Sequence, residues 1–118
     1  MRVSDALGRF GEQLAVHHLQ ATGMEVLDRN WRCSIGEIDI VARDGDTLVI
    51  CEVKTRRSLT FGHPVAAVTP IKLRRLRRLA AEWISTSGIH SRTIRLDVVG
   101  ILAPRDGQPI IEHVQGVH

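Results

Sequence analysis

Residues 36–54, GEIDIVARDGDTLVICEVK, decide how the chain is read. Ile38, Ile40 and Val41 on one side, and Leu48, Val49, Ile50, Cys51 and Val53 on the other, form two apolar runs. Such β-branched stretches are the composition of half-buried strands. Between them lies Arg43-Asp44-Gly45-Asp46, and because Gly45 accepts a positive φ at little cost, its Asp-Gly pair predicts a hairpin. Alternation along a strand places Glu52 and Lys54 on one face, with Cys51 and Val53 on the other. With Asp44-Gly45 at the centre of the turn, Ala42 faces Thr47, Asp39 faces Ile50 and Glu37 faces Glu52. Glu37, Asp39, Glu52 and Lys54 then share a face, with Asp39 diagonal to Glu52. A slip of one residue would send Asp39 to the other side.

Carboxylates gathered on a half-buried sheet repel one another unless protons or a cation compensate. A hard divalent ion such as Mg2+, with Mn2+ as a substitute, needs oxygen ligands and few protein groups, and suits phosphate-ester chemistry. Lys54 beside the carboxylates is placed to steer an attacking water. The plainer use of the same residues is a solvent-facing strand whose Lys–Glu pair contributes about 0–1 kcal/mol.

Asp39, followed after the hairpin by Glu52-Val53-Lys54, resembles the PD-(D/E)xK nuclease signature. Nearly the whole chain resembles the YraN-like family of uncharacterised bacterial proteins, which are similar to archaeal Holliday-junction resolvases. The residues that carry this are Gly11-Glu12, Arg29-Asn30-Trp31-Arg32, Gly36-Glu37-Ile38-Asp39, Glu52-Val53-Lys54, Lys72 and Arg95-Leu96-Asp97. Ile38 stands where the general motif has proline, a position that shapes the strand and not the metal shell. The resemblance implies a restriction-endonuclease-like fold and a metal-dependent endonuclease site. Asp39 and Glu52 would hold Mg2+ with the main-chain carbonyl of Val53, aided by Glu12 or Glu37, and Lys54 would position water for attack on a phosphodiester. DNA, branched DNA in particular, is the implied partner, and a homodimer the implied assembly.

At 118 residues the chain has the length of one domain, 1–118, with a single core. Aromatics make up only 3%, so Leu, Ile, Val and Ala must fill that core. Sixteen Lys and Arg against 13 Asp and Glu leave a net charge of +3, compatible with a polyanionic partner. The two cysteines have neither zinc-site nor disulfide-framework spacing, and Cys51 within an apolar strand reads as a small buried hydrophobe. No signal core and no membrane-length apolar run occur, so a cytoplasmic, non-membrane location is expected.

Ser4 to about Thr22 reads as a helix capped by Ser4 and stopped by Gly23. Leu7, Phe10, Leu14 and His18 form its apolar stripe, and Gly11 and Ala15 allow close approach to a sheet. Glu12 lies on the shoulder of that stripe, either a ligand by resemblance or a solvated charge. A strand follows from Met24 to about Arg32, in which Trp31 closes a core rim or stacks on a base. After Lys54 periodicity is lost through residue 68, and Arg56 and Arg57 are placed for phosphate contacts. Thr69-Pro70 starts a second helix that runs to about Thr86, before Gly88. Lys72, Arg74, Arg75, Arg77 and Arg78 give it five basic residues in seven positions, either a nucleic-acid face or a solvated one. Strands are expected at Ser91–Ala103 and Pro109–Val114, with Asp97 in a structural pair with Arg95 on the same face or with Arg56 or Arg57. The order α-β-β-β-α-β-β makes an α/β fold with a mixed sheet flanked by helices. A binding or protein-interaction module that keeps the fold without cutting would use the same residues.

Overall fold

The computed structural model describes the backbone of residues 3–118, with side chains from residue 5. Its elements run α1 (Val3–Ala21), β1 (Glu25–Cys33), β2 (Gly36–Asp44), β3 (Thr47–Arg56), α2 (Pro70–Ser87), β4 (Thr93–Leu102) and β5 (Ile110–Val114). The five strands form one sheet whose spatial order, β1-β2-β3-β4-β5, is the order along the chain. Every neighbouring pair is antiparallel except β3 and β4. Parallel neighbours need a crossover, and α2 supplies it. This is the expected α/β order α-β-β-β-α-β-β, with a mixed sheet of the restriction-endonuclease-like type.

The helix signals operate as read for α2. Thr69 caps it by accepting from the Lys72 amide at 3.2 Å, Pro70 opens it, and Gly88 at φ +72° ends it by donating to the Ile84 carbonyl at 3.0 Å. The first helix begins earlier than expected: Val3 is already helical, so Ser4 lies inside α1, and the Ser4 side chain falls outside the described residues. Its buried stripe also differs, because Phe10 is 48% exposed while Ala15, Val16 and Leu19 are buried. Gly11 explains the rotation. A Cβ at Gly11 would overlap Thr55 Oγ1 and stand 2.9 Å from Thr55 Cβ, so α1 meets β3 through its smallest residues and the phenylalanine is left on the shoulder.

Two apolar clusters flank the sheet. On the α1 side Ala15, Val16 and Leu19 pack with Ile40, Ala42, Val49, Cys51, Val99 and Ile101. On the α2 side Leu73, Leu76, Leu79 and Trp83 pack with Ile38, Val41, Leu48, Ile50 and Leu96. Leu48 to Glu52 are all buried, because β3 is central and covered on both faces. Trp31 packs against the α2 cluster, the rim role. The Trp83 indole donates to Asp28 at 3.0 Å, which fastens α2 to β1.

The hairpin forms, but its turn does not sit where it was placed. Asp44 pairs with Thr47, Ala42 with Val49 and Ile40 with Cys51, so the loop residues are Gly45-Asp46 and not Asp44-Gly45. Gly45 has φ +59° and Asp46 has no positive φ, the pattern of a two-residue turn with glycine first. Arg95 contributes the reason, since its Nη1 holds Asp44 Oδ2 at 3.1 Å and keeps that residue in the strand.

Asp97 is fully buried on β4 and surrounded by donors. Arg95 donates to it from Nε at 2.8 Å and from Nη2 at 3.0 Å, the His113 ring Nε2 lies at 2.8 Å, and the Gly116 amide donates at 3.2 Å. The Arg95–Asp97 pair read from the sequence is thus present and extended by β5. His113 also meets His18 of α1 at 3.1 Å, while His17 turns away to Gln13, as their adjacency requires. β5 starts at Ile110 and not at Pro109, which has no N–H for the ladder. In the aperiodic stretch after β3, Pro64–Ala67 forms one 3-10 turn seated on Gly100, where a Cβ would come 2.8 Å from Val65 Cγ1. Among the described residues no helix is long and apolar enough to cross a membrane.

Candidate functional site

The corrected register brings the acidic residues closer than expected. The β2–β3 ladder ends at Ile40↔Cys51, and its register extended by one step sets Asp39 toward Glu52, not Ile50. The displacement from the expected pairing is two residues along the partner strand, so the face is kept. Beyond Ile40 the two strands separate. Ile38 lies in the α2 cluster and Ile40 in the α1 cluster, although residues two apart on a regular strand share a face. The backbone therefore turns over at Asp39, and β2 leaves β3 as a fork.

The Asp39 carboxylate fills the gap. Its Oδ2 accepts from the Val53 amide at 2.8 Å, taking the place of the missing main-chain partner. Burial, then a hydrogen bond and charge repulsion from Glu52, push the Asp39 carboxyl up to about 8, and only the Val53 amide works against them. The Asp39 carboxyl therefore keeps its proton in neutral solution.

Glu52 itself is 3% exposed and meets the Lys72 ammonium of α2 at 3.2 Å. Lys72 was expected to face a phosphate backbone and is directed into the carboxylate pair instead. Lys54 lies two residues beyond Glu52 on the same strand, half-buried, with no ion pair among the described residues. Glu12 arrives from the α1 side, with its carboxyl raised by burial and by the charges of Glu37 and Glu52. Glu37 pairs with Arg32 Nε at 3.5 Å. Among the described residues no three His, Cys, Asp or Glu side chains converge closely enough to cage an ion. Mg2+ is commonly held by one or two carboxylates with retained waters, so the Asp39–Glu52 pair fits it without a closed cage. The N–H and C=O of a strand residue point to the same neighbour, so the Val53 carbonyl faces the Asp39 side as well.

The surroundings mix both charges. A cleft of about 400 Å3 is lined by Asp5, Glu12 and Glu37 together with Asn30, Arg9 and Arg32, while Asp39 and Glu52 do not line it. From the other side Arg75 of α2 lies over Gly36, its Cδ 3.5 Å from where a Cβ would stand. Arg74, Arg75, Arg77 and Arg78 are exposed. Arg56 and Arg57 divide: Arg57 is exposed and donates to the Ala103 carbonyl at 3.3 Å, whereas the Arg56 Nε is buried without a partner. Cys51, beneath the pair, has its thiol pushed well up by burial and by the Asp97 charge, so it is an inert core residue. A larger cleft of about 630 Å3 lies at the opposite end of the hairpin, around Arg43, His90 and Arg92.

The raised Asp39 carboxyl has a consequence for stability. Between its unfolded value of 3.8 and about 8 the folded state binds more protons than the unfolded one. Its contribution is therefore complete in acid and is lost as the pH rises through about 8. Urea denaturation at a series of pH values is expected to show stability falling across this window, with the slope reduced in Asp39→Asn. Divalent-ion affinity should rise over the same window, because the ion and the proton compete for one carboxylate pair.

Residues 11–101 match the uncharacterised protein family UPF0102. The chain is 56% identical over 117 residues to a UPF0102 protein of Beutenbergia cavernae, covering 99% of each sequence. It is 58% identical over 119 residues to a UPF0102 protein of Streptomyces coelicolor, covering 99% of this chain and 92% of the relative. With a UPF0102 protein of a Nocardioides species it shares 56% identity over 115 residues, or 98% and 93%.

Proposed function

This chain belongs to the uncharacterised protein family UPF0102, the YraN-like family, and for it we propose nucleic-acid binding with a Mg2+-dependent endonuclease-type site at the fork of β2 and β3. The observation that carries the reading is the Asp39–Glu52 pair, half-buried Asp39 beside buried Glu52 at the end of a ladder, with Lys72 on Glu52 and Arg32 on the neighbouring Glu37. Paired carboxylates kept in a half-buried fork are costly to folding unless they have a use.

Asp39 and Glu52, the Val53 carbonyl, and Glu12 or Glu37 would hold the ion, which supplies neutralisation of charge at a phosphodiester under attack. Lys54 positions the attacking water. Lys72, which pairs with Glu52 at 3.2 Å, would be available to a phosphate if that carboxylate held the ion. Arg56, Arg57, Arg74, Arg75 and Arg78 hold the backbone of the polynucleotide by charge. Similarity to resolvases makes branched DNA the first substrate and a homodimer the first assembly to test.

A second reading, a binding module that does not cut, is favoured by one contact: Lys72 already neutralises Glu52 and occupies the position of a cation. Incubation with Mg2+ or Mn2+ and with duplex, single-stranded and branched DNA and RNA separates the two. Metal-dependent cleavage is expected, together with binding that weakens as salt rises by about 0.9 in log-log slope per phosphate neutralised on duplex DNA. Salt-sensitive binding without cleavage of any substrate supports the module, and no binding at all overturns both.

A further inference from the structure

Asn30 is the only described residue other than glycine with a positive φ, at +52°. Asparagine tolerates that left-handed region better than most side chains, but a strand has no intrinsic need for it. Its neighbours show what it does. Arg29 pairs with Ile40 and Trp31 with Ile38, and these partners lie in opposite core clusters, so β1 and β2 turn over together where Asn30 and Asp39 stand.

That turn carries the Asn30 amide to the carboxylates of the site. With its NH2 toward them it donates to Glu12 Oε1 at 3.1 Å, to Glu12 Oε2 at 3.0 Å and to Glu37 Oε1 at 3.2 Å. The opposite orientation would set the amide oxygen against the same three oxygens, so the partners decide the assignment. One amide proton thus serves both oxygens of Glu12 and the other serves Glu37.

We propose that Asn30 is a positioning residue of the acidic site, a neutral two-proton donor that bridges Glu12 and Glu37 and fixes where they stand toward a divalent ion. The assignment rests on reading that site as cation-binding. A donor without charge suits the task, because a lysine there would compete with the ion and a carboxylate would add to the repulsion. The hydrogen bond also opposes protonation of Glu12, against burial and the charge of Glu37. A backbone role alone does not account for the amide, since glycine would supply the same φ at no strain.

Asn30→Gly separates the two roles, because it retains the backbone conformation and removes the donor. Mn2+ titration by calorimetry is expected to show affinity about tenfold weaker than in the unsubstituted chain. Without metal, the shift in urea midpoint caused by Asn30→Gly should be lost when Glu12→Ala and Glu37→Ala, which remove both acceptors, are present. Unchanged Mn2+ affinity, or the same midpoint shift in both backgrounds, overturns the proposal. Absence of Mn2+ binding in the unsubstituted chain would sink the cation-site reading instead, and the metal-free comparison would still decide whether Asn30 bridges the glutamates.

Discussion

Asp39→Asn is expected to lower metal-dependent cleavage about a thousandfold, some 4 kcal/mol of activation free energy, while leaving a protein that is more stable in mild alkali. The two effects have one cause. Asparagine has nearly the shape of aspartate and keeps an oxygen for the Val53 amide, which Asp39 holds at 2.8 Å, so the fork stays closed on that side. What disappears is the charge that an ion would share with Glu52, and with it the repulsion that pushes the Asp39 carboxyl to about 8. Cleavage assays and urea midpoints at pH 5 and above pH 8 read both. Wild-type cleavage by the variant would remove Asp39 from the chemistry. Lower stability in alkali would show that its charge is compensated within the protein itself. Gain of stability on loss of a functional group is the usual sign of a site maintained against folding.

Asp97→Ala is the substitution expected to cost most in stability, about 3–5 kcal/mol. The carboxylate is fully buried and accepts from Arg95, from the Gly116 amide and from the ring of His113 when that nitrogen carries the proton. Alanine leaves a guanidinium with one remaining carboxylate, Asp44, and strips the last strand of its anchor. Thermal denaturation should show a loss of about 10–20 °C for a chain of this length. A loss below about 1 kcal/mol would mean that the network relaxes around water. Mn2+ affinity at temperatures where the variant is folded should be unaffected, which distinguishes this buried ion pair from the carboxylates of the fork.

Much of the fold was legible because it is written in local chemistry. The Asp-Gly turn, the β-branched runs on either side, the Thr69-Pro70 start and the Gly88 stop of α2 each act within a few residues. Alternation put Arg95 and Asp97 on one face, and of the partners it left open for Asp97 the fold uses Arg95. What could not be read depends on groups distant in sequence. The placement of the turn was decided by Arg95 reaching Asp44, 51 residues away. The exposed Phe10 depended on Thr55 admitting only a glycine against it. Lys72 looked like one more member of a basic run, and nothing in its spacing shows that the first turn of α2 ends above Glu52. Asn30 was read as an ordinary residue of the first strand, although an asparagine within a strand was the available signal for a left-handed residue.

The spatial order of the sheet, identical to the order of the chain, has a consequence for how the protein is made. Each strand leaving the ribosome joins the edge left by its predecessor, and no earlier strand must part to admit a later one. The acidic fork, contained in residues up to Lys54, emerges first and waits uncovered until Lys72 arrives with the crossover helix. Synthesis therefore passes through a stage at which Glu52 lacks the Lys72 ammonium that it meets in the finished fold.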